Sequence, residues 1–260
     1  MPFTAPLLAF FACVIPFLRN MLHVKNKHYF VADVHLGLKG NGVLERERSF
    51  VDWLDSISSN VAALYLLGDI FDFWWEYKYV VPKGYVRVLG RLAQLVDDGV
   101  EVHFFKGNHD RWTFGYLAQE IGLVVHDAPV VVQVGEAHFC VGHGDGLGPH
   151  GVLERMFASR FLQRCFSAIH PRWGMSIGHG WSARNRMKYE KSFIFHEDTN
   201  PICNFARKCK QPVDYFVFGH LHTPVDIELP NKARLVVLGE WAPDGHYAVF
   251  DGDTEQFETI

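Results

Sequence analysis

The chain has 260 residues, enough for one well-buried core with an embellishment. Hydrophobic residues make up 48% and charged residues 21%, which excludes a disordered or fibrous sequence, and a net charge of -4 gives no general pull toward nucleic acid. Cys13, Cys140, Cys165, Cys203 and Cys209 form an odd set without a C-x-x-C pair, which argues against a disulfide framework and fits a reducing cytosol.

The chain opens on an uncharged apolar run from Pro2 to Leu18, interrupted by Pro6 and Pro16 and ended by Arg19. It falls short of the roughly 20 residues a span needs, and it lacks the basic start and small-residue cleavage site of a secretory signal. Residues 1–20 are therefore expected to be an apolar tail, from a start placed upstream of Met21 or as a loose membrane-touching segment. The remainder, 21–260, reads as a single domain.

Strand-like runs follow at 27–33, 61–67, 100–106, 129–134, 138–142, 213–218, 234–238 and 246–250. Helical periodicity occupies 43–59, 84–98, 112–121 and 196–209. Early alternation of strand and helix, then closely spaced strands, predicts an α/β sandwich with mixed sheets. Residues 150–191 break this rhythm. They read as two helices divided at His170-Pro171, the first with a stripe of Leu153, Met156, Phe157, Phe161, Leu162, Cys165, Phe166 and Ile169. The segment carries eight Lys/Arg against two acids, a net +6 that leaves -10 for the rest. Arg184, Lys188 and Lys191, at i, i+4 and i+7, fall on one helix face. They are the candidates to hold a phosphorylated substrate.

Five short motifs each follow a strand: Asp33-Val34-His35, Gly68-Asp69-Ile70-Phe71-Asp72, Gly107-Asn108-His109-Asp110, Gly142-His143-Gly144-Asp145 and Gly219-His220-Leu221-His222. Strand ends place them at one rim, where α/β proteins bind ligands. Their Asp, Asn and His side chains are oxygen and imidazole donors suited to Mn²⁺, Fe²⁺ or Zn²⁺, and the absence of cysteine argues against a structural zinc site. Two cations about 3.5–4 Å apart can activate a water against a phosphorus centre. His109 stands ready to protonate a leaving oxygen or to stabilise phosphoryl charge, and Asp72, Asp110 and Asp145 to orient ligands from behind.

D-x-H, G-D-x-x-D, G-N-H-D, G-H and G-H-x-H in this order resemble the calcineurin-type metallophosphoesterases over residues 27 to about 250. The resemblance implies a four-layer αββα sandwich of two mixed sheets. It also implies that Asp33, His35 and His222 hold one divalent cation, that Asn108, His143 and His220 hold another, and that Asp69 bridges them. Within that superfamily, the H-G-D, the helical segment after it and Leu238-Gly239-Glu240-Trp241 look like the UDP-2,3-diacylglucosamine diphosphatases of lipid A synthesis. That likeness implies two Mn²⁺ ions; His109 and Asp69 are the candidate catalytic residues. Asn108, His109, Arg184, Lys188, Lys191 and His220 would be the substrate contacts, with 150–191 a helical lid that takes up acyl chains. A lipid-linked nucleotide sugar would be the partner, met from the cytoplasm at the inner-membrane surface, without nucleic acid or an obligate protein partner. His109 is a departure, since many members of that branch carry Arg there. The alternative is a phosphodiesterase or phosphomonoesterase acting on another nucleotide or small molecule. A nuclease would spread its basic residues along a groove, and a non-catalytic scaffold would have lost donors that are all present here.

Overall fold

Apolar runs that end at glycine-led turns pair into two sheets in the computed structural model, which describes residues 25–38, 42–148, 156–157, 159–192, 195–241 and 245–260, with backbone alone for 187–192. The apolar tail at 1–20 lies outside the described residues, and among these no helix is long and apolar enough to cross a membrane. In chain order the strands are β1 (Lys27–Val31), β2 (Val61–Leu66), β3 (Glu101–Phe105), β4 (Val124–His126), β5 (Val130–Val134), β6 (Ala137–Val141), β7 (Tyr215–Phe218), β8 (Val225–Glu228), β9 (Arg234–Val237), β10 (Ala248–Asp251) and β11 (Gln256–Thr259). The helices are α1 (Val43–Ile57), α2 (Val86–Asp97), α3 (Tyr116–Gln119), α4 (Arg160–Ser167), α5 (Pro171–Ser192) and α6 (Pro201–Lys208).

One sheet runs β11-β10-β1-β2-β3-β4, parallel from β1 to β4 and antiparallel at β10 and β11; the other runs β5-β6-β7-β9-β8, parallel across β6, β7 and β9. Period-two alternation sends Tyr29, Val31, Leu64 and Phe104 toward α1 and α2, while Phe30, Tyr65 and Phe105 face the second sheet. Between the sheets Phe30 stacks on Tyr65 at 4.8 Å and on Phe139 at 5.5 Å. The far face of the second sheet is covered by Ile202, Cys203 and Ala206 of α6. The layers are helix, sheet, sheet, helix, as the sequence predicts.

Three strands escape the periodicity reading. β4 has three residues, β11 is a polar second arm of a terminal hairpin, and β8 alternates Val225 and Ile227 with Asp226 and Glu228 but only over four residues after Pro224 at a sheet edge. The expected helix at 112–121 shrinks to the single turn of α3, because Trp112 and Thr113 are drawn into the core beside Trp75 and Asp110.

The chain does turn at His170-Pro171, and Pro171 opens α5 where its missing N–H costs nothing. α5 packs on the loop after β2: Phe73 lies against Gly178 so closely that a Cβ there would collide with the ring. Phe73, Trp75 and Trp112 form an aromatic cluster with Phe157, Phe166 and Trp181, in which Phe166 meets Trp75 at 4.2 Å. The stripe on α4 is narrower than the sequence suggests. Leu162, Cys165, Phe166 and Ile169 line a groove over this cluster, whereas Phe161 is 71% exposed and Leu153 lies outside the described residues.

Candidate active site

The parallel strands β1, β2 and β3, and β6, β7 and β9, all deliver their C-terminal loops to one rim. There the backbone is unusual. Asp33, His35, Asp69, His220 and His222 have φ between 48° and 75°, in the left-handed region that non-glycine residues seldom occupy. Close approach is also required at Gly107, since a Cβ would strike Asp69 Oδ1. The buried Asp110 ties these loops together: its carboxylate accepts from the N–H groups of Gly107 at 2.8 Å, Ile70 at 2.8 Å, Asp69 at 3.3 Å and Phe71 at 3.3 Å.

Asp33, His35, Asp69 and His222 bring donor atoms within 4.8 Å of one another. Asp33 Oδ2 accepts from the His220 N–H at 2.8 Å, leaving Oδ1 3.4 Å from His222 Nε2 and 3.7 Å from His35 Nε2. His35 Nε2 lies 3.2 Å from His222 Nε2. A second group meets on the other side of Asp69. His143 Nδ1 donates to the Leu67 carbonyl at 2.8 Å, so its Nε2 is presented 3.3 Å from Asn108 Oδ1 and 3.5 Å from Asp69 Oδ2. The His220 ring stands beside that of His143 at 5.0 Å. Asp69 is divided between the groups: Oδ1 is held by the His109 N–H at 2.8 Å, while Oδ2 faces His35 Nε2 at 4.0 Å as well as His143.

These donors suit divalent cations. Asp33 Oδ1 and Asp69 Oδ2 are buried without a hydrogen-bond partner, a state that costs more than about 1–3 kcal/mol for a charged group unless a cation faces it. Electrostatics favours the ligand form of both carboxylates and of two of the four histidines. Burial opposes ionisation of Asp33 and Asp69, yet His222 and His35 hold the first, and His143 and His109 the second, below the usual carboxylate range. Burial lowers His35 to about 4, and burial together with His143 lowers His220 to about 4, so both are neutral imidazoles at pH 7. Burial would lower His143 too, but Asp69 pulls it well above its ordinary value. Burial and the Asp69 charge push Asp110 up to about 7 against the pull of its N–H partners.

His109 is buried, and its Nδ1 donates to the Asp72 carbonyl at 2.8 Å, which leaves Nε2 for chemistry, 3.9 Å from Asp69 Oδ2. Asp72 also converges with His35 and His109 within 4.8 Å. Its carboxylate is engaged by α5, accepting from Ser182 Oγ at 2.8 Å, with His179 Nδ1 at 3.7 Å and Arg186 Nη2 at 3.9 Å. Asp145 pairs with Arg111, and Asp110 binds backbone, so neither of them backs a histidine directly.

Of the basic face expected on α5, Arg184 is the one residue whose side chain is described. Arg184 is exposed, two residues and so about 200° round the helix from the buried Ser182 and Arg186. The side chains of Lys188 and Lys191 lie outside the described residues. Sequence reasoning missed His179, Ser182, Arg186 and the role of Glu240. A signal was present in Gly174, Gly178, Ser182 and Arg186, spaced by four, which mark a ridge that seats closely.

Among solved structures, the chain is similar to Yfce, a phosphoesterase from E. coli, at 14% identity and a TM-score of 0.42, covering 90% of this chain and 98% of that one. A UDP-2,3-diacylglucosamine hydrolase of Porphyromonas gingivalis is 35% identical over 258 residues, 91% of this chain and 98% of that protein. One from Serratia proteamaculans is 26% identical over 223 residues, 83% and 91% of the two chains. The family model of calcineurin-like phosphoesterases matches residues 27–224. With that match spanning all five motifs, the chain belongs to the calcineurin-like phosphoesterase family, as a metal-dependent hydrolase.

Proposed function

We propose that the protein hydrolyses the pyrophosphate of UDP-2,3-diacylglucosamine to UMP and 2,3-diacylglucosamine 1-phosphate, a step of lipid A synthesis. The observation that carries this reading is the groove of about 390 Å³ beside the rim, lined by Phe73, Trp75, Trp112, Leu162, Phe166 and Trp181 among others. Nearly every lining side chain is apolar, which suits acyl chains. The names of the two relatives agree with it.

In this reading Asp33, His35 and His222 hold one cation, Asn108, His143 and His220 the other, and Asp69 both, with Mn²⁺ the favoured ion. Two such cations supply Lewis acidity that lowers the pKa of water and offsets phosphoryl charge. An oxygen from water would form the new bond to one phosphorus as the anhydride P–O bond breaks, and the bridging oxygen would leave with the other phosphate. His109, with Nδ1 committed to Asp72, turns Nε2 toward this chemistry and as imidazolium donates to the leaving oxygen or to a phosphoryl oxygen. Residues 150–191 serve as the acyl-binding lid, and Arg184, Lys188 and Lys191 as contacts to the sugar phosphate. Exposed Phe161, Trp173 and Ile177, interspersed with exposed Arg160, Arg164 and Arg172, support attachment to an anionic leaflet from the cytoplasmic side.

Phosphorus NMR of products from an acylated UDP-sugar, set beside simple nucleotide diesters, tests the reading. UMP and a sugar 1-phosphate are expected, at a rate well above diester cleavage. Faster cleavage of the diesters would move the protein to the phosphodiesterase alternative.

A further inference from the structure

Glu240 stands where three parts of the molecule meet. Its backbone N–H donates to the His222 carbonyl at 3.4 Å, and the N–H of Trp241 donates to the Asp33 carbonyl at 3.1 Å. The Trp241 ring is buried against Phe50 and Trp53 of α1. The segment after β9 is thus stitched to both loops that carry Asp33 and His222. On the side chain, Oε2 faces His222 Nδ1 across 3.8 Å, while His222 Nε2 faces Asp33. Oε1 accepts from Arg46 Nη1 of α1 at 3.1 Å and from Arg186 Nη1 of α5 at 3.0 Å. Arg46 Nη1 also donates to the Val34 carbonyl at 3.0 Å.

We propose that Glu240 is a positioning residue for His222, presenting Nε2 toward Asp33 by standing behind Nδ1, and that α1 and α5 together fix its place through Arg46 and Arg186. The inference rests on the reading of Asp33, His35, Asp69 and His222 as a metal group. Two effects act in the same direction. At 3.8 Å the carboxylate favours a proton on Nδ1 by its charge and so leaves Nε2 as the donor nitrogen, and loss of a carboxylate behind a ligand imidazole commonly costs 10–100-fold in metal affinity. Without the carboxylate, Arg46 and Arg186 lose the counter-charge they share, Arg186 keeping only Asp72 at 3.9 Å, and repel a divalent cation more strongly. The effect is confined to one ion, because Asn108, His143 and His220 meet on the other side of Asp69.

The test is titration of the full, chelator-stripped protein with Mn²⁺, followed by electron paramagnetic resonance and calorimetry. Glu240→Gln should leave one ion bound as in the parent and weaken the other by about 10–100-fold. Glu240→Asp should fall between, and Glu240→Gln combined with Arg186→Gln should recover part of the loss, since one of the two repelling cations is gone. Circular dichroism of the metal-free proteins identifies a variant that does not fold; Glu240→Asp then carries the test, and parental affinity in it overturns the proposal. His222→Ala is the control. If it binds two ions with parental affinity, the metal grouping falls. If it loses one ion while Glu240→Gln keeps both at parental affinity, the grouping stands and the role of Glu240 is overturned.

Discussion

Phe166→Ala removes the aromatic wall that closes the groove against Trp75. The ring pair at 4.2 Å is worth about 0.5–1.5 kcal/mol, and Phe166 is only half-buried, so the cost to folding is modest. The effect on substrate is larger. Each acyl methylene seated in the groove gains about 0.8 kcal/mol, close to fourfold in kcat/KM, until the space of about 390 Å³ is filled. With the ring gone, methylenes that met it face water, so the gain per methylene should drop while the intercept at zero length stays put. The assay is kcat/KM over an acyl-chain series of UDP-sugars, with a chromogenic phosphodiester as the substrate that never enters the groove. The diester rate should stay within about twofold, as the side chain touches no metal-group residue. Parallel slopes in parent and variant, or equal losses on lipid and diester, would refute the acyl-groove assignment. Phe161, at 71% exposure and outside the groove, supplies the comparison: Phe161→Ser should leave the slope unchanged.

Asp69→Asn should weaken both ions together, because the lost oxygen faces both donor groups; metal content by mass spectrometry reads this, and two ions retained in an active variant would remove Asp69 from its bridging place. His109→Ala should lower kcat by about 10²–10⁴-fold on poor leaving groups and much less on good ones, with metal content unchanged. On β3 and β4, His103 Nδ1 and His126 Nε2 lie 3.1 Å apart, and burial holds both imidazoles below their ordinary pKa. The unfolded chain therefore takes up protons first on acidification, so stability is full above about pH 6.5 and falls below it. His103→Gln with His126→Gln should make the fall of melting temperature between pH 6.5 and 5 shallower, the remainder coming from the buried His35 and His220, and an unchanged slope would assign all of the acid sensitivity elsewhere.

The layered fold and the rim were legible because their signals are local. Glycine turns such as Gly68-Asp69 and Gly107-Asn108 follow strongly apolar strands, and strand ends of one direction share a rim. What could not be read was the face of a helix whose apolar period is weak. α5 mixes glycines, basic residues and tryptophans. Spacing therefore pointed to Arg184, while close packing of Gly178 on Phe73 turns Ser182 and Arg186 inward. Long-range partners were equally hidden: nothing near Glu240 in sequence signals that Arg46 and Arg186, on two separate helices, would close on it. Asp145 and Asp110 were expected behind histidines, but their partners, Arg111 and backbone N–H groups, are set by tertiary packing.

The left-handed backbone at Asp33, His35, Asp69, His220 and His222 bears on how this chain can change over generations. Glycine at any of these positions would relieve strain of order 1 kcal/mol, so each is a point where loss of the side chain is partly rewarded with stability. A lineage released from catalysis would drift toward glycine or asparagine along this rim before it lost its core. Five such backbone positions side by side are held at a cost in stability for the sake of the side chains they carry.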